Sequence, residues 1–156
     1  MTTKEYLNQI RKLTFMIDAK LDEIYRLRTL ACRMTVSTEG ERVKSSPDQD
    51  RLADAVAKII EREDELNILV KRYMKQRSQI IEMIDGLDNP NSHKILTLRY
   101  VQEKSDKEIA AKMNIAPSHV YKVQKIALIE FEEKYGDKYS AKIDAVGREF
   151  LKMDSK

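Results

Sequence analysis

Tryptophan is missing from the chain, and glycine and proline occur only four and three times in 156 residues. So few turn formers exclude a β-rich fold, which needs frequent turns and aromatic side chains. The single cysteine, Cys32, excludes an intramolecular disulfide and fits a reducing compartment. No apolar run approaches the ~18 residues of a membrane span. The stretch "MTTKEYLNQIRK" also lacks the apolar core of a signal peptide. A cytoplasmic protein with no membrane partner is therefore expected. The scattered glycines form no phosphate-cradling loop. His93 and His119, with Cys32, have no metal-ligand spacing, so neither cofactor nor metal is expected. Acid pairs such as Asp64-Glu65 and Glu132-Glu133 read as solvated helix faces, and no catalytic residue stands out. The reading is non-enzymatic.

What the chain does contain is charge and helix formers. Charged residues make up 35% and hydrophobic residues 42%, a balance that favours long helices in an all-α fold. Tyr6, Ile10, Leu13, Ile17, Lys20, Ile24, Leu27, Ala31 and Met34 recur at steps of three and four. Leu52, Val56, Ile59, Glu63, Leu66, Val70, Tyr73, Arg77, Ile80, Ile84 and Leu87 keep the same beat. Each set is a narrow coiled-coil seam, on helices of roughly 45 and 55 Å. The segment 35–50, with Gly, Pro and Ser, reads as a connector. It allows an antiparallel hairpin over residues 1–88, or self-association into a dimeric or larger bundle. In the hairpin, Lys20 stands level with Glu63. It either pairs with it to fix register or lays its stem along the seam's edge.

Gly86 ends the second long helix, and Asn89-Pro90 opens a new unit over 89–136. A short helix spans roughly 93–102. Ser105 then caps a second, with Glu108 completing an S-x-x-E capping box. That helix breaks at Asn114-Ile115-Ala116-Pro117. Asn tolerates the left-handed conformation that leaves a helix, Ile115 plugs the angle, Ala116 caps weakly, and Pro117 suits a first helical position. A recognition helix follows over 117–134, closed by Gly136. The tail, 137–156, holds at most a short amphipathic helix interrupted by Gly147. The three helices make a helix-turn-helix unit.

Ile95-Leu96-Thr97-Leu98-Arg99-Tyr100, Ser105, Glu108-Ile109-Ala110, Ile115, Val120 and Ala127-Leu128 together resemble the C-terminal promoter-reading region of bacterial sigma factors. The chain departs from that pattern with Asn114 for the usual Gly, Ala116 for Ser and Pro117 for a frequently basic residue. With two long helices in front, it resembles the phage and prophage transcriptional regulators of the ArpU/RinA kind. The resemblance implies a regulator of double-stranded DNA in a bacterial host.

In such a unit the start of the last helix enters the major groove. Pro117, Ser118, His119, Tyr121, Lys122, Gln124 and Lys125 are then the candidate readers. Lys122 and Gln124 suit guanine or adenine edges. Lys104, Ser105 and Lys107, at the start of the preceding helix, suit phosphate, helped by its dipole. Arg99 either joins them or bonds within the unit. Residues 93–130 carry seven Lys and Arg against four acids, the whole formal +3 of the chain. One unit with so little charge binds weakly, which points to a homo-oligomer, a dimer first. Two other roles remain open: a sigma-like factor on core RNA polymerase, and a coiled-coil DNA-packaging subunit.

Overall fold

A computed structural model describes residues 1–38 and 47–153, with side chains for 1–35 and 49–139. Among them there is no strand. In chain order the helices are α1 (Thr3–Leu7), α2 (Gln9–Thr38), α3 (Pro47–Asp85), α4 (Pro90–Leu96), α5 (Asp106–Met113) and α6 (Val120–Met153). A π-helical turn, Thr97–Val101, follows α4, and a 3-10 turn, Pro117–His119, precedes α6. The connector is shorter than 35–50: residues 35–38 and 47–50 are helical, and 39–46 lie outside the described residues.

Two compact units result, one of Met1–Arg11 with Lys75–Lys156 and one of Lys12–Met74. The division does not fall near residue 88, because both ends of the long-helix pair join the core of the first unit. Tyr6, Leu7, Ile10, Ile80 and Ile84 are buried there together with Ile95, Leu96, Ile109, Val120 and Phe131. Tyr6 stacks on Tyr139 with ring centroids 4.7 Å apart, and Phe131 lies 5.2 Å from Tyr135. The Thr3 and Tyr139 hydroxyls share a 2.6 Å hydrogen bond. α1 is held at its start by a capping box: Thr2 Oγ1 accepts from the Glu5 N–H at 3.2 Å, and Glu5 Oε2 accepts from the Thr2 N–H at 2.7 Å. A one-residue break at Asn8 separates α1 from α2, where the seam alone predicts a continuous helix.

Local chemistry sets the other boundaries of this unit. Asn89 caps α4 by accepting from the Asn91 N–H at 3.0 Å, with Pro90 in the first turn, and its own N–H donates to Glu130 of α6 at 3.2 Å. Gly86 follows α3 with an ordinary negative φ, so space and not conformation requires glycine: a Cβ there would overlap the Tyr135 hydroxyl. Gln102 N–H to Thr97 O at 2.9 Å closes the π-helical turn. Lys104 N–H then reaches Leu98 O at 2.8 Å, with Glu103 between them in the left-handed region at φ 53°.

Gly136 does not end the last helix. α6 continues to Met153, since Tyr135 and Tyr139 are buried on either side of the glycine. Helical glycine costs about 1 kcal/mol, less than burying an aromatic side chain gains at roughly 1.5–3 kcal/mol. The tail therefore extends the recognition helix instead of forming a separate short one; residues 154–156 lie outside the described ones.

The second unit is built from the facing stretches of α2 and α3. Its pairing differs from the Lys20–Glu63 match. Lys20 Nζ reaches Glu65 at 2.6 Å and Glu23 at 3.4 Å, Arg62 reaches Glu23 at 2.6 Å, and Glu63 pairs with Arg28. Lys20 raises its own pKa through Glu65 and lowers that of Glu65, while Arg62 lowers that of Glu23. Near the start of α3 the seam shifts by one residue: Ala55 is buried and Val56 is exposed. Helices of 3.6 residues per turn drift against a 3.5-residue repeat, so such shifts accumulate.

Candidate nucleic-acid interface

The break in "KMNIAPSH" has the geometry its residues predict. Asn114 takes φ 56° and ψ 42°, left-handed, and Ile115 N–H returns to Ala110 O at 3.1 Å. Ala116 holds a cap conformation, φ −66° and ψ 142°, but has no side-chain oxygen to accept a capping bond, and Pro117 starts the 3-10 turn. Ile109, Ala110 and Val120 are buried at the crossing of α5 and α6. The turn is thereby fixed from both sides, and so is the direction in which α6 sets out.

On that start, Pro117, Ser118, His119, Tyr121, Lys122 and Lys125 are all exposed, Tyr121 at 73%. Ser118, Tyr121, Lys122 and Lys125 fall at helical spacing on one face. The face continues into Ile126 and Ile129, both exposed, which the composition of the helix alone did not single out.

Gln124 sits differently. Its Oε1 accepts from Arg99 Nη2 at 3.2 Å and its Nε2 donates to the Tyr100 hydroxyl at 3.1 Å. Both ends of the amide are engaged inside the unit, so pairing with adenine would sacrifice two bonds. Arg99 also bonds to Asp106 at the start of α5. It thus tethers the π-helical turn to both helices of the motif. Burial and the Gln124 bond act oppositely on Tyr100; burial prevails and pushes its phenol pKa up.

Lys104, Ser105 and Lys107 lie together at the start of α5, Lys104 half-buried and the other two exposed. The capping box is formed, with Ser105 N–H donating to Glu108 Oε2 at 2.8 Å. The Ser105 backbone bond holds the Glu108 carboxyl below the usual carboxylate range. The helix N-terminus is therefore already answered by the protein's own carboxylate. What is left for an anion is the exposed Lys107, the half-buried Lys104 and the donor capacity of the Ser105 hydroxyl. Beside them a cleft of about 370 Å³ has Arg11, Arg99 and Lys104 set against Glu103 and Glu108. Its charges nearly balance. Among the described residues no cluster of His, Cys, Asp or Glu could hold a metal, and no helix is long and apolar enough to cross a membrane.

Fold and face together define an all-α protein: a long-helix pair followed by a trihelical helix-turn-helix with an exposed basic and aromatic helix start. The chain belongs to the family described as "Protein of unknown function (DUF1492)", whose model matches residues 33–132. No curated protein and no solved structure matches the chain.

Proposed function

We propose that the chain is a sequence-specific reader of double-stranded DNA, a transcriptional regulator of the phage or prophage type that its sequence resembles. The observation that carries this reading is the exposed face of Ser118, Tyr121, Lys122 and Lys125 behind a turn fixed by left-handed Asn114. Residues 118–125 enter the major groove, Lys122 reading a guanine edge and Tyr121 a base edge or sugar. Lys104, Ser105 and Lys107 take the phosphates on the flank, and Arg99 with Gln124 holds the two helices in register. With a formal charge of only +3, one head binds weakly, so two copies act on one site.

Selection from random duplexes followed by footprinting tests the reading. Wild-type protein should enrich one sequence. Tyr121→Ala with Lys122→Ala should abolish that preference, with helical content by circular dichroism unchanged. Lys122→Ala alone should cost about 1–3 kcal/mol and relax one position. No enriched sequence, or a footprint indifferent to both substitutions, overturns it.

A further inference from the structure

The second unit exposes apolar side chains in a pattern. On α2, residues one step past the seam are Thr14, Asp18, Leu21, Tyr25, Arg28 and Cys32, at alternating steps of four and three. Leu21 and Tyr25 are 47% and 72% exposed. On α3 the position one step past the seam falls at Val56, where Ala55 is the buried residue, and at Ile60; both are exposed. In an antiparallel pair, one step past the seam turns toward the same side on both helices. Leu21, Tyr25, Val56 and Ile60 therefore share one face of the hairpin. Phe15 and Ile68, also exposed, point away from it.

We propose that this face receives a second copy of the same chain, the two hairpins packing face to face as an antiparallel four-helix bundle. The charges select that occupant. Centred on position 23, Leu21 and Tyr25 lie two residues to either side, and Asp18 and Arg28 five. A two-fold axis there sets α2 against its copy in reverse. Leu21 then meets Tyr25 of the partner subunit, and Asp18 meets Arg28 of the partner subunit, whose guanidinium bridges it and Glu63 of its own chain, twice over. Along α2 this self-complementarity is what an isologous interface requires. The stripe from Thr14 to Cys32 runs about 27 Å on a pair about 20 Å wide, the scale on which stable pairs bury ~800 Å² per partner. The surface deepens the DNA-reading proposal, which rests on two copies, but its evidence lies wholly in the second unit.

Sedimentation of the full chain without DNA is the test. The expected mass is twice the 18.2 kDa of one chain; a monomer or a larger ring overturns the surface. Leu21→Glu with Tyr25→Glu should weaken association on the order of tenfold or more. Ile68→Glu, on the far side, should not. Circular dichroism confirms folding, since all three side chains are exposed. Asp18→Arg and Arg28→Asp should each weaken self-association by opposing like charges, and mixing the two variants should yield the mixed pair by native mass spectrometry. A dimer indifferent to Leu21 and Tyr25, or no preference for the mixed pair, overturns the arrangement. A dimer that selects no DNA removes the proposed function and leaves this surface standing; a monomer that footprints does the reverse.

Discussion

The two units spend similar sequences on opposite ends. In the first, Ile95, Leu96, Ile109 and Phe131 are fully buried, and an aromatic cluster of Tyr6, Phe131, Tyr135 and Tyr139 closes over them. In the second, most seam residues are half-buried, while Tyr25, Ile60 and Ile68 stand in solvent. Both follow apolar periodicity. Helices that cross from several directions enclose a core, whereas two helices side by side can cover only one stripe each. The second unit adds half-buried ion pairs across its seam, which solvent still screens. One unit encloses its apolar side chains; the other leaves several of its own in solvent.

The contrast is testable by size of effect. The largest belongs to Phe131→Ala, which should cost about 3–5 kcal/mol in urea denaturation, against about 0.5 kcal/mol or less for Ile68→Ala. Equal costs would abolish the distinction between the units. Next comes Gly86→Ala, expected to cost roughly 1–3 kcal/mol through overpacking against the Tyr135 hydroxyl. Adding Tyr135→Phe should restore most of it, because the ring carbon beneath the hydroxyl would stand 3.5 Å away, at ordinary contact. Ala116→Ser should act in the stabilising direction by about 1 kcal/mol, since the backbone already holds the cap geometry and lacks only the acceptor.

The smallest effect is the second unit's response to acid. Glu65 and Glu23 titrate below the ordinary carboxylate value when folded. The unfolded chain therefore takes up protons first as pH falls. Their contribution is complete above the ordinary carboxylate value and disappears as pH drops through the lowered folded one. Glu65→Gln should flatten the fall in melting temperature between neutral pH and about pH 3, and only slightly, given the exposure of the pair.

Features governed by neighbours in sequence were readable from it. Both the Ser105–Glu108 box and the Asn114 reversal follow from a residue type meeting a local backbone need. The boundary at Asn89-Pro90 was readable too, but the helix starts at Pro90 with Asn89 as its cap, and not near residue 93. Features governed by distant residues were not. Gly136 reads as a stop until Tyr139 is known to be anchored on Tyr6 and Thr3. Gln124 reads as a base contact until the π-helical turn, which has no sequence signature, brings Arg99 and Tyr100 beside it. The Lys20 partner is Glu65 and not Glu63, which pairs with Arg28 instead. The exposure of Ser118, Tyr121, Lys122 and Lys125 was legible because a helix start is a local matter.

The uninterrupted course of α6 makes it a lever arm. From Val120 to Tyr139 it measures about 30 Å, with the exposed Tyr121, Lys122 and Lys125 at one end and the stacked Tyr6–Tyr139 pair at the other. Without the expected stop at Gly136, no joint lies between them to absorb a tilt. Any rotation imposed on the helix start must then be felt at those tyrosine rings. In a chain with seven tyrosines and no tryptophan, this pair contributes to an ultraviolet signal that is tyrosine's own.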